Sequence, residues 1–191
     1  MADGRNGAVD VAVLVGSLRK ESLTRKIALA MKGMAPSLLA LDIVEIRGLQ
    51  MYDQDLETET PPREWVVFRD RIRRADALLF ATPEYNRSIP GCLKNAVDVG
   101  SRPPGKNVFN GKPGAIVSVT PYGLGAFGAN HHLRQALVYV NVLTMAQPEA
   151  YISQAGELVD GNFRITNDAS REFFTKFLTA FAAWIELTRK K

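Results

Sequence analysis

Val9-Asp10-Val11-Ala12-Val13-Leu14-Val15-Gly16-Ser17-Leu18-Arg19-Lys20-Glu21-Ser22-Leu23-Thr24 opens the chain's folded part. The first seven residues are apolar except for Asp10, and they do not alternate, which predicts a strand buried on both faces. Gly16 then ends the strand, and a periodic helix begins at Leu23. A strand, a short glycine-started loop and a helix N-terminus make an anion site, because backbone N–H groups are unpaired there and the helix dipole favours negative charge. The hydroxyls of Ser17, Ser22 and Thr24 and the guanidinium of Arg19 suit a phosphate monoester. No Gly-Lys-Ser/Thr follows as in a nucleotide P-loop, and Gly16 has no glycine partners for a dinucleotide fingerprint. The ligand expected is a small molecule with a terminal phosphate.

Outward from this stretch, apolar runs alternate with helical patterns. Further strands are expected at Leu39 to Ile46, Ala77 to Thr82 and Ala115 to Thr120, with a weaker one from Leu143 into Ile152. Helical stripes are Leu23, Ile27, Met31 and Met34; Trp65, Phe68, Ile72 and Ala75; and Leu133, Leu137 and Val140. Another helix opens at Pro90 and continues through Leu93 and Val97, proline being tolerated in a first turn. The aromatic stripe Phe173, Phe177, Phe181, Trp184 and Ile185 reads as core, with Asn167 or Asp168 as its N-cap. Regular βα alternation means a parallel sheet with right-handed crossovers. Five strands predict an α/β, flavodoxin-like three-layer sandwich of order 2-1-3-4-5. Ligands of such sheets bind beyond the carboxyl ends of the strands, so the unusual residues belong in the loops after strands one, three and four.

Composition bounds the function. The chain has 191 residues, enough for one domain with a continuous core. It is read as a single domain over 1–191, with 1–7 and 188–191 as flexible tails. No apolar run approaches the ~20 residues of a membrane span, the N-terminus lacks a signal-peptide core, and the single Cys92 excludes an internal disulfide. A cytoplasmic protein is expected. The formal net charge is +4, part of it in the tail Arg189-Lys190-Lys191. The other basic residues are scattered without interleaved aromatics, so no nucleic-acid partner is expected.

The loop after strand three, Thr82-Pro83-Glu84-Tyr85-Asn86-Arg87-Ser88-Ile89-Pro90-Gly91, is stiffened by prolines on both sides. It presents backbone polar groups and the flat face of Tyr85 to a planar heterocycle; read alone, it is equally a turn and helix cap. The loop after strand four, Ser118 to Gly128, carries Gly123, Gly125 and Gly128, which let backbone approach a ligand closely. His131 and His132 have no acidic or thiol partner at ligand spacing, so no metal is expected. Cys92 reads as a packing residue.

Three motifs together carry a resemblance: Gly16-Ser17-Leu18-Arg19-x-x-Ser22; Pro83-Glu84-Tyr85-Asn86-x-Ser88-x-Pro90-Gly91-x-Leu93-Lys94-Asn95-Ala96-x-Asp98; and the glycine loop before His132-Leu133-Arg134-Gln135. The chain resembles the NADPH-dependent FMN reductases, most of all the bacterial quinone and chromate reductases. The resemblance implies a flavodoxin-like fold, bound FMN and a homodimer or homotetramer. It places Ser17, Arg19, Ser22 and Thr24 on the FMN phosphate. Pro83, Glu84, Tyr85 and Asn86 would line the isoalloxazine ring, and Ser118 and Gly123 would border it. Thr24 stands where the family often has Asn, and Val99-Gly100 where an aromatic commonly follows. Arg87, Arg102 and Tyr122 are expected at the rim facing NAD(P)H and substrate, since a guanidinium recognises phosphate in bidentate fashion. No side chain is expected to be catalytic: hydride transfer needs stacking more than an acid, so Glu84 is not read as one. The expected reaction is ping-pong transfer from NADPH or NADH through FMN to a quinone, a flavin, an azo compound or a chromate-type oxyanion. An FMN electron carrier, a flavin-binding regulatory module and a mononucleotide-binding protein without a redox role are the alternatives.

Overall fold

The structure is a computed structural model and describes residues 7–189. The tail residues 1–6 and 190–191 lie outside the described residues. Eleven elements are named here: β1 (Val9–Val15), α1 (Leu23–Met34), β2 (Leu39–Val44), α2 (Arg63–Arg74), β3 (Ala77–Thr82), α3 (Gly91–Gly100), β4 (Pro113–Val119), α4 (Phe127–Tyr139), β5 (Leu143–Thr144), β6 (Ala150–Ile152) and α5 (Asp168–Thr188). The sheet is parallel throughout, in the order β2-β1-β3-β4-β5, with β6 also paired to β4. The expected strand order is therefore observed.

The pleat explains why the central strands read as unbroken apolar runs. Val9, Val11, Val13 and Val15 face α1 and α5, where Ile27, Met31, Phe177 and Phe181 close one core. Ala12 and Leu14 face the opposite way, toward Trp65, Phe68, Leu93, Leu133 and Leu137 of α2, α3 and α4. Both faces are covered, so neither can be polar. The α5 aromatic stripe is core as expected, and Asn167 is its cap, its side chain accepting from the Ser170 N–H at 2.8 Å. Gly100 leaves the space that the Phe109 ring fills: a Cβ there would stand 2.4 Å from Phe109 Cε2.

Three details differ from the sequence reading. The expected final strand is two short ones, β5 at the start of β4 (Pro113↔Leu143) and β6 at its end (Val117↔Ala150), because the chain leaves the ladder between Met145 and Glu149. β2 stops at Val44 instead of Ile46. At the C-terminus, Thr188 belongs to α5 and Arg189 donates to Asp76 at 2.7 Å, so the helix and its cap take up part of the expected tail.

The long β2–α2 segment is held down by a buried ion pair. Arg69 Nη1 and Nη2 donate to the two oxygens of Glu57 at 2.9 and 2.6 Å, and Nε donates to the Val99 carbonyl at 2.8 Å. The guanidinium also lies 5.5 Å over the Trp65 ring. Asn95 of α3 adds three bonds, accepting from the Tyr52 N–H and donating to the carbonyls of Leu49 and Gln50. Removing one member of a buried pair leaves the other charged and unpaired, which costs about 3–5 kcal/mol. Arg69→Ala should therefore lower the unfolding free energy by about that amount in a denaturant titration. A loss under about 1 kcal/mol would mean that Glu57 escapes to water at little cost.

Candidate functional site

The C-terminal ends of β1, β3 and β4 are adjacent, so the three loops that follow them meet at one edge of the sheet. The first loop is built by its ends. Gly16 N–H donates to Ala81 of β3 at 2.8 Å, and Ser22 is the N-cap of α1, its Oγ accepting from the Arg25 N–H at 3.1 Å. Between them, the backbone N–H groups of Ser17 to Ser22 have no acceptor among the described residues. Ser17, Ser22 and Thr24 are buried and Arg19 is exposed. The hydroxyls of Ser17 and Thr24 have no hydrogen-bond partner among the described residues. Unpaired N–H groups, a helix N-terminus without an acidic residue in its first turn and free hydroxyls make this loop fit a phosphate.

Arg47 was not foreseen from the sequence. It follows β2, and its Nη2 donates to the Leu18 carbonyl. Nearby, Arg25 Nη1 donates to Glu45 Oε2 at 3.2 Å. These contacts fasten the first loop and the start of α1 to the segment after β2. A lone exposed arginine after a strand carries no motif, so only the crossover reveals its role.

The loop after β3 is a hairpin in miniature. Tyr85 and Ser88 exchange both backbone hydrogen bonds at 3.0 Å, around Asn86 (φ 51°) and Arg87 (φ 64°). Positive φ at both central positions is the type I′ turn, for which Asn is suited and Arg is not. Tyr85 is half-exposed at its edge. Gly16 lets this loop meet the first one: a Cβ at Gly16 would lie 3.0 Å from Leu93 Cδ2 and 3.4 Å from Pro83 Cδ.

The Glu84 side chain reaches toward α4. Its Oε2 accepts from the Ala129 N–H at 3.0 Å, at the start of α4. Arg87 lies at the turn tip with its Nη1 3.7 Å from Glu84 Oε1, and is largely exposed.

In the loop after β4, Ser118 is turned inward. It is fully buried, donates to the Gly125 carbonyl at 2.6 Å and accepts from Asn130 Nδ2 at 3.2 Å. Its hydroxyl is thus committed to holding the loop's shape. Gly123 is exposed, with nothing within 4 Å of its Cβ position. Tyr122, Leu124 and Phe127 stand exposed around it. Phe127 packs at a tilt against His131, with ring centroids 4.2 Å apart, and against Tyr151 at 5.4 Å. The Tyr151 hydroxyl is 2.9 Å from His131 Nε2; burial first, and its hydrogen bond to Glu149 second, push its pKa up to about 12, so it stays a neutral phenol.

The structure thus gathers Ser17, Arg19, Ser22, Thr24, Pro83, Glu84, Tyr85, Asn86, Ser118 and Gly123 along the adjacent ends of three strands. Arg102 is apart from Arg87. The two stand at opposite ends of α3, and Arg102 lies 6.0 Å over the Tyr52 ring, on a groove of about 550 Å³ between α3 and α4. His132 Nδ1 shares a 2.9 Å hydrogen bond with Ser88 Oγ, which ties the turn to α4. No group of acidic, thiol or imidazole side chains able to hold a metal occurs among the described residues.

Comparison with known proteins agrees with this geometry. Residues 9–157 match the family described as NADPH-dependent FMN reductase. A quinone reductase of Pseudomonas putida is 55% identical over 94% of this chain and 96% of its own length. A 2-hydroxy-1,4-benzoquinone reductase of a Burkholderia species is 42% identical over 93% of this chain and 97% of its own length. Among solved structures, FerB, a flavoenzyme NAD(P)H:(acceptor) oxidoreductase from Paracoccus denitrificans, superposes with a TM-score of 0.89 at 39% identity, covering 94% of this chain and 99% of that one.

Ser22→Ala should lower stability by about 1 kcal/mol, the usual cost of an N-cap, in chemical denaturation without ligand. No change would mean that water replaces the cap and that Ser22 is retained for ligand alone.

Proposed function

The chain belongs to the NADPH-dependent FMN reductase family, and from that premise we propose that its three-loop cleft works between NAD(P)H and a quinone. It is an FMN-dependent oxidoreductase that draws on NAD(P)H. The quinone acceptor is supported by similarity, over nearly their whole length, to a quinone reductase and a 2-hydroxy-1,4-benzoquinone reductase. The observation that carries the site assignment is the run of unpartnered N–H groups from Ser17 to Ser22 beside the start of α1.

When bound, FMN supplies the redox chemistry, accepting hydride from a nicotinamide and returning two electrons to an acceptor. The protein's residues supply the rest. The N–H groups of the first loop, with Ser17, Thr24 and Arg19, hold the phosphate. Ser22 contributes mainly by capping α1, which keeps those N–H groups aimed outward. The rigid Tyr85–Ser88 turn and Pro83 present backbone to the ring, with Glu84 and Asn86 shaping the turn. Ser118 acts from behind by fixing the loop that carries Gly123. Tyr122 and Arg87 stand at the open edge, where donor and acceptor enter in turn by a ping-pong route; Arg102 belongs to the α3–α4 groove and serves the donor from there. Flavin, azo compounds and chromate-type oxyanions are further acceptors of the same open cleft.

The chain acts as one flavin-binding domain, located in the cytoplasm where reduced pyridine nucleotides are made. It self-associates as a homodimer or homotetramer, a reading supported by the largely exposed Val138 and Tyr139 on the outer side of α4.

Mixing the FMN-loaded protein anaerobically with NADPH should bleach the flavin absorbance rapidly and stoichiometrically. A spectrum unchanged by both NADPH and NADH would instead favour an electron carrier fed by a protein partner. Arg19→Ala should retain less FMN through purification, by about a factor of ten for one lost charge-assisted bond. Full FMN content in that variant would remove Arg19 from the phosphate site.

A further inference from the structure

The start of α4 lacks a cap of its own. Its N-cap is Ala126, in left-handed conformation (φ 57°), with no side chain able to accept a hydrogen bond, and no acidic residue stands in the first turn. The missing acceptor arrives from 45 residues earlier: Glu84 Oε2 takes the Ala129 N–H at 3.0 Å. A carboxylate at that end also meets the positive pole of the helix dipole. Arg87 faces the same carboxylate from its other side, at 3.7 Å.

The fit between turn and helix is tight. A Cβ at Gly128 would lie 2.9 Å from the Arg87 carbonyl oxygen and 3.0 Å from Glu84 Oε2. The Ser88–His132 hydrogen bond joins the same two elements one helical turn further on. The turn after β3 and the start of α4, which ends the loop after β4, are therefore clasped together. These are two walls of one cleft.

We propose that Glu84 is a positioning residue whose carboxylate, seated on the α4 N-terminus against Gly128, sets the separation of the two loops and thereby the affinity for flavin. Its carboxylate oxygens are engaged by the Ala129 N–H and by Arg87. This deepens the flavin reading given above and rests on it.

The test is titration of flavin-free protein with FMN, followed by flavin fluorescence, alongside thermal unfolding without ligand. Glu84→Ala should weaken FMN binding by about tenfold, the effect of one charge-assisted hydrogen bond. Glu84→Gln keeps an oxygen acceptor at the same reach and should recover affinity to within about threefold. Gly128→Ala separates positioning from capping, and it carries the test if Glu84→Ala fails to fold. Alanine's helix preference of about 1 kcal/mol offsets part of the cost of the contact its Cβ forces, so this variant should remain folded while FMN binding falls by about tenfold. Unchanged FMN affinity in a folded Glu84→Ala or Gly128→Ala protein would overturn the proposal. So would a Glu84→Gln protein that binds FMN and NADPH normally but has lost turnover, since that marks an acid. Failure of the unsubstituted protein to bind FMN would remove the flavin reading itself, and this proposal with it.

Discussion

The parallel pairing of β1, β3 and β4 is the constraint on which the rest of the molecule depends. Parallel strands return by crossover, so each ends at the same edge of the sheet and each must turn into a loop there. Burial of both faces then forces every residue of β1, β3 and β4 to be small or apolar, with few exceptions. Chemistry is excluded from the strands and concentrated in the loops after them. A shift of one of these strands would bring polar loop residues into the core and separate the three loops.

Adjacent strand ends alone leave loops free to splay. The structure counters this with side chains sent from elsewhere. Arg47 and Glu45 fasten the first loop from the β2 side, and Asn95 with Arg69 secures the β2–α2 segment against α3. Glu84 and Ser88 join the second loop to α4, and Ser118 with Asn130 braces the third from within the core. These contacts are polar and directional, so they locate loops in a way that apolar packing cannot. Four of the seven non-glycine residues with positive φ among the described residues lie here: Asn86, Arg87, Leu124 and Ala126. Such strain persists only where the surroundings over-determine the backbone.

The exposed aromatic and aliphatic groups at this edge follow the same logic. Tyr85, Tyr122, Leu124 and Phe127 are exposed beside polar, rigid backbone. A cleft of this kind receives flat molecules through its apolar rim and orients them through main-chain groups. Two further grooves lie outside this edge or only border it: about 580 Å³ between β2 and α2, and about 550 Å³ between α3 and α4, the second reached by Ser88 and Ile89 of the loop after β3.

Fold class, strand order and the meeting of three loops at one sheet edge were legible in the chain, because hydrophobic periodicity and glycine or proline punctuation are local signals. Val9 to Val15 reads as a doubly buried strand, and Gly16 to Ser22 reads as an anion loop, without knowledge of any distant contact. The resemblance of Pro83 to Asp98 to a known family was equally visible. Illegible were the partners of polar side chains across long separations. Glu84 reads as a cleft residue, and its carboxylate accepts from the start of α4; Ser118 reads as a border to the ligand, and its hydroxyl is a buried brace; Arg87 and Arg102 both read as rim residues, and they stand at opposite ends of α3. Arg47 gave no signal at all. A side chain's type and neighbours in sequence reveal which groups it can bond. Which group it does bond depends on where crossover connections bring remote segments, and that is set only when the whole sheet and its helices close on one another.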